Sequence, residues 1–162
     1  FDPKYFAYFE ETDFCMRVWL AGWRVCYEPA SRIYHAGGAS STQQPSSRIV
    51  YHASKNVICT YLKNFSFAYA LRTIPSIVML YSVWCLVSVM TGKFSTAHAV
   101  IRAIWWNVVN LGQTLRKRGE VHRVMRTRPD EAFLPAVTRP VTFRYYYEQF
   151  FGNLGRYRDI TI

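Results

Sequence analysis

Three carboxylates crowd four positions, Glu10, Glu11 and Asp13, and further along His35 stands directly before a glycine-rich run, Ala36-Gly37-Gly38. Carboxylates this close repel one another, so their arrangement needs a cation, a shared proton or a helix N-terminus to offset the cost. Adjacent Glu10 and Glu11 cannot share one helix face; one can enter a cleft while the other meets packing. A carboxylate so placed can serve as a general base, and a neutral imidazole at a strand end can ligate a metal. The plainer alternative is that the acids answer the positive end of a helix and His35 is an ordinary turn residue.

The elements that must position these residues follow from periodicity and punctuation. EETDFCMRVWLAGW has its acids at the start and Gly22 past the end, which predicts a helix over about 11–21, with Phe14, Val18 and Ala21 facing inward and Asp13 paired to Arg17. RVCYE and SRIYH read as short strands separated by Pro29 and Ala30, and AGGASSTQQPSS as a mobile loop. Arg48 to Phe67 predicts a polar-interrupted helix. Thr73 to Gly92 carries no charge and is about the length needed to cross a bilayer core of ~30 Å as a helix. Phe94 to Leu115 has an apolar stripe at Ala97, Ile101, Ile104, Val108, Leu111 and Leu115, with His98, Arg102 and Gln113 opposite, and Trp105 and Trp106 suit a headgroup boundary. Beyond it lies RKRGEVHRVMRTR, with six Lys or Arg and one Glu. Basic residues beside an anionic bilayer contribute about 1 kcal/mol each.

The chain has 162 residues, 20 Lys and Arg against 10 Asp and Glu, 17% aromatics and 19% charged residues. That composition excludes a disordered acidic chain and a disulfide miniprotein. Cys15, Cys26, Cys59 and Cys85 form no C-x-x-C pair, so neither a zinc knuckle nor a redox couple is indicated, and reduced packed thiols are expected. No basic segment followed by an apolar one marks a secretory signal. No acid occurs from Pro29 to Gly119, a stretch with ten Lys or Arg. Such a stretch is expected against a polyanion, and its content of Leu, Ile, Val and Trp favours anionic membrane lipid and no nucleic acid. Basic flanks place Thr73 to Leu115 as a hairpin dipping into the inner leaflet, with Arg102 opposing a second crossing.

Residues 1–40, FDPKYFAYFEETDFCMRVWLAGWRVCYEPASRIYHAGGAS, resemble the closing half of the catalytic domain of family 2 glycosyltransferases of the GT-A fold. That family's pattern runs F-D-x-x-F-F-x-Y-x-E-D-x-D-L-x-x-R-x-x-x-x-G-W, then P, then H-x-G-G-x-S. The later helices are similar in composition to the membrane-associated tails of rhamnosyl- and galactofuranosyl-type members. The resemblance implies an α/β fold: a C-terminal part of the GT-A domain over 1–47, a helical, basic, membrane-associated region over 48–128, and an aromatic-rich tail over 129–162. It also implies inverting transfer from a UDP- or dTDP-linked sugar to a glycan or polyprenol-linked acceptor at the cytoplasmic face of the membrane, the enzyme being peripheral or monotopic.

Glu11 falls on the position of the family's base, with Glu in place of Asp, and Glu10 is the adjoining candidate for the role. Asp13 falls where the acceptor is oriented or the helix start is held. His35 falls where some members place a metal ligand, for Mg²⁺ or Mn²⁺ beside the donor diphosphate. The family's D-x-D motif is absent from this chain. With no initiator Met, the chain is expected to be a piece of a longer protein whose nucleotide-binding half lies upstream of Phe1, and to be inactive alone. Gln113-Thr-Leu-Arg116 is followed by Lys117 and not by the Trp of the processive synthases. The competing expectation is a non-enzymatic membrane-binding or scaffold module in which the carboxylates cap a helix.

Overall fold

The structure is a computed structural model that describes residues 1–34 and 45–138, together with the single positions 142 and 147. In chain order it contains α1 (Glu10–Leu20), α2 (Ser46–Asn64), α3 (Phe67–Met90), α4 (Phe94–Val109), α5 (Leu111–Glu120), a π-helical turn over Val121–Met125, a 3₁₀ turn over Asp130–Ala132 and the short α6 (Leu134–Val137). Every regular element among the described residues is helical, which overturns the α/β expectation. The runs RVCYE and SRIYH are where strands were expected. Positions 24–34 are solvent-exposed and pair with no other segment among the described residues. Strand-forming side chains are not enough without a partner to take up the backbone groups. What forms instead is a local turn, with the Ser31 amide donating to the Glu28 carbonyl at 3.1 Å and the Ala30 amide to Glu28 Oε1 at 3.0 Å.

Helix α1 starts where its acids sit and stops where expected: Gly22, at φ +85°, takes the left-handed conformation after the last turn. Its inward face mixes Asp13 with apolar residues, Leu20 entering the core and Met16 and Trp19 packing against it, and it is not the Phe14 face. Asp13 and Leu20 are its fully buried residues, whereas Phe14 stays 45% exposed.

The long helix α2 organises the rest. Successive contacts along it, Tyr51 to Arg102, Lys55 to Asn107, Cys59 to Thr114, Leu62 to Arg118 and Asn64 to His122, climb both sequences together. The composite of α4, α5 and the π turn therefore runs parallel to α2 and packs directly on it, and α3, which joins them in sequence, runs antiparallel to both. The single stripe expected over 94–115 is divided accordingly. Ala97, Val100, Ala103 and Asn107 are buried, and Ile101, Trp105 and Val108 face outward.

A compact apolar hub, Leu20, Phe65, Val121 and Phe133, sits where α1, the α2–α3 corner, the π turn and the 3₁₀ turn meet. Phe65 stacks on Tyr61 and Tyr69 with ring centroids 4.8 Å away in each case. The same corner is closed by polar residues. Arg118, His122 and Arg126 reach the Leu62 and Asn64 carbonyls at 2.7–3.2 Å, and Asp130 accepts the Ser66 amide at 2.8 Å. Bases thus satisfy the orphan carbonyls of α2 and an acid caps the first turn of α3. The basic run read as a lipid contact is therefore partly spent inside the protein, since Lys117 also binds Asp2. Arg116 and Arg123 remain exposed.

Among the described residues α3 is the one helix long and apolar enough to cross a membrane; it has 24 residues, and an 18-residue stretch of it has a mean hydropathy of 1.8. At 1.5 Å per residue it is about 36 Å long. Leu71, Met79, Val83, Leu86 and Met90 lie along its uncovered side.

Candidate functional site

The acidic turn is held from one side by the polar face of α2. Lys55 Nζ donates to the Lys4 carbonyl at 2.9 Å, and Asn56 Nδ2 donates to the carbonyls of Ala7 and Tyr8 at 2.9 and 2.6 Å. The Tyr5 hydroxyl lies 2.8 Å from Thr60 Oγ1. One turn further, Lys63 Nζ lies 2.9 Å from Asp2 Oδ2 and 2.8 Å from Asp13 Oδ1, and Asn64 Nδ2 donates to the same Asp13 oxygen at 2.8 Å. Arg17 completes the group, 3.1 Å from Asp13 Oδ2, which is the i,i+4 pair the sequence indicated.

This anchoring supports a strained entry. Tyr8 and Phe9 both have positive φ, 67° and 69°, directly before Glu10. Aromatic residues seldom adopt this region, at a cost of about 1–3 kcal/mol each, and such backbone persists only where its surroundings enforce it. The two carbonyl bonds from Asn56 supply that enforcement.

The three carboxylates end in different surroundings. Asp13 is sealed from solvent, its oxygens shared among Lys63, Asn64 and Arg17. Glu11 is exposed, with Thr12 Oγ1 donating to it at 3.4 Å. Glu10 is half-buried, and its Oε2 is buried without a hydrogen-bond partner. Glu10 and Glu11 therefore point to different environments, and of the three Glu11 is the one open to an incoming molecule. His35 lies outside the described residues, as do Gly37, Gly38 and Ser40.

Asp2 belongs to the same network. Burial pushes its carboxyl up, but hydrogen bonds from Lys117, Lys63 and the Lys4 amide, with the Lys63 charge, outweigh this and hold it well below the usual carboxylate range. Burial pushes the Tyr5 phenol far above its ordinary value. A cavity of about 440 Å³ opens over the network, bounded by Arg17, Lys63 and Lys117 and by the apolar side chains of Val121, Val124 and Met125. Among the described residues no three His, Cys, Asp or Glu side chains come together to hold a metal ion.

The residues that do this holding, Lys55, Asn56, Thr60, Lys63 and Asn64, carried a signal that sequence reading passed over. They recur at helical spacing along α2, a polar stripe on a face that is buried.

Part of the chain is similar to a known enzyme. Over 58 residues, 36% of this chain, it is 33% identical to the N-acetylglucosaminyl-diphospho-decaprenol L-rhamnosyltransferase of Mycobacterium tuberculosis, in each of two strains. The similarity is to a glycosyltransferase. It spans about a fifth of that relative's length, 19%. No family model and no solved structure matches the chain.

Proposed function

We propose that this chain serves sugar transfer from a UDP- or dTDP-linked donor to a glycan or polyprenol-linked acceptor, at the cytoplasmic face of a membrane. The observation that carries the reading is Glu11, a solvent-open carboxylate at the start of a helix whose entry is rigidly fixed, in a chain partly similar to a rhamnosyltransferase. The relative's name describes a lipid-linked diphosphate acceptor, and the uncovered apolar side of α3 suits a protein that meets such molecules at a bilayer.

In this reading the Glu11 carboxylate takes the proton of the acceptor hydroxyl as the hydroxyl oxygen bonds to the anomeric carbon. The bond from that carbon to the diphosphate breaks, and its electron pair leaves with the nucleoside diphosphate. Attack opposite the leaving group inverts the anomeric centre. Glu10 is the adjoining carboxylate, and Asp13 fixes the helix that carries both. A positioned base contributes about 10²- to 10⁴-fold to such a step.

The experiment is Glu11→Gln in the complete protein that carries this sequence, assayed with labelled UDP- and dTDP-sugars and a polyprenyl-diphosphate-linked N-acetylglucosamine acceptor. Transfer is expected to fall by about 100-fold or more with an unchanged melting temperature. Transfer retained by Glu11→Gln would remove the residue from the role. A second reading, a non-enzymatic membrane module, draws on the exposed apolar residues of α3 and α4; under it the unsubstituted protein transfers no sugar yet floats with lipid vesicles.

A further inference from the structure

We infer that Arg48, His52, His98 and Arg102 form a cleft between α2 and α4 that binds a phosphate or diphosphate group. The cleft has a volume of about 330 Å³, and among the described residues no carboxylate lines it. Each helix contributes a basic pair one turn apart, Arg48 with His52 and His98 with Arg102. No acidic residue occurs anywhere from 29 to 119, so neither helix brings its own counter-charge.

The cleft is built to hold its cations in place. The Arg48 guanidinium lies 5.1 Å from the Phe6 ring centroid and that of Arg102 lies 4.8 Å from the Tyr51 centroid, so both heads rest on aromatic shelves. His52 packs between Phe6 and Tyr51, at 5.2 and 5.0 Å between ring centroids, and its Nδ1 is buried without a hydrogen-bond partner. Because α2 and α4 run parallel, both present their N-terminal ends here, where Ser47 and Ser95 line the cleft. Neither helix start has a side-chain cap. Positive helix ends, fixed guanidiniums and hydroxyl donors together suit a compact, doubly charged oxyanion.

The cleft sits beside the α3–α4 junction, where Cys85 Sγ meets the Ala97 carbonyl at 3.8 Å. The phosphate can therefore belong to a lipid headgroup or to a soluble ester. The inference does not depend on sugar transfer, because binding is read directly.

The test titrates the full chain in non-ionic detergent micelles with sodium pyrophosphate. Unsubstituted chain is expected to bind, and Arg48→Gln/Arg102→Gln to bind at least about tenfold more weakly. His98→Ala, at an exposed position, is expected to weaken binding in the same direction. The control Arg116→Gln/Arg123→Gln removes the same charge elsewhere and is expected to leave binding unchanged. Flotation with phosphatidylcholine vesicles, with and without phosphatidylglycerol, identifies the source. Loss of phosphatidylglycerol-dependent flotation in the cleft variant assigns a headgroup, and flotation retained while pyrophosphate binding is lost assigns a soluble phosphate. Absence of pyrophosphate binding, or equal weakening in the cleft and control variants, overturns the inference. Either of those results leaves the Glu11→Gln assay unaffected.

Discussion

Lys63 places its ammonium 2.8 Å from Asp13 Oδ1, and neither side chain is more than 3% exposed. The pair joins the first turn of α1 to the end of α2. Removing one partner strands the other charge, which costs about 3–5 kcal/mol in comparable buried pairs. Lys63→Met, which leaves Asp13 to Arg17 and Asn64 and Asp2 to Lys117, is expected to destabilise the chain by less than this, about 1–3 kcal/mol in urea titration. Asp13→Asn, which can keep the bond to Asn64 after an amide flip, is expected to cost less.

Asn56 is expected to control the conformation in front of the acidic turn. Asn56→Ala removes both carbonyl bonds that hold Ala7 and Tyr8. Stability should fall by about 1–3 kcal/mol. Amide exchange should speed up at residues 8–13 more than in α4, and equal acceleration everywhere would contradict a local hold.

Acid should weaken the fold in two windows. His52 is held below the ordinary 6.5 by burial and then by Lys55, Arg48 and Arg102; His122 by burial and then by Arg118 and Arg126, against the Asn64 carbonyl and Asp130. Below pH 6.5 the unfolded chain therefore binds more protons at these residues than the folded one, and stability drops as pH falls through that value. Asp2 shifts downward, so its contribution is present above 3.8 and lost as pH falls below it. Urea midpoints measured from about pH 8 to about pH 3 should decline first through the histidine window and again through the carboxylate one. His122→Gln should flatten the first decline.

Gly22 and Gly92 separate a backbone cost from a steric one. Both have positive φ, 85° and 72°. A Cβ at Gly22 would stand 3.0 Å from Thr127 Oγ1, whereas one at Gly92 meets nothing within 4 Å. Gly92→Ala is expected to cost about 1–2 kcal/mol. Gly22→Ala should lower the melting temperature further, because Thr127 is tied to the Leu20 carbonyl through its amide at 2.8 Å.

Much of the helical order was legible in the chain. Acids at 10–13 and Gly22 delimit α1 because helix ends impose local chemistry, and all but the last two residues of the uncharged stretch from Thr73 to Gly92 lie within α3. What failed was anything decided by a distant partner. Val25 and Ile33 have strand character but gain no neighbouring strand among the described residues. Phe14 looked like the inward residue of α1, yet the surface facing that helix is Lys63 and Asn64, so Asp13 is buried in its place. Arg118, His122 and Arg126 looked like a lipid contact because their periodicity matches α2's last carbonyls only once the two segments are known to run parallel. In the candidate site, Glu10, Glu11 and Asp13 were visible together, but their separation into open, half-buried and sealed environments depends on α2.

The clamp on the α2–α3 corner has a consequence for biosynthesis. Its closing groups, Arg118 to Asp130, are translated after the whole of α3, and Asp130 follows the end of that helix at Met90 by 40 residues. During synthesis the apolar helix therefore emerges before the residues that fix its starting angle exist. The corner can close only after α4 and α5 have also been made, so α3 passes through synthesis without the groups that fix its start.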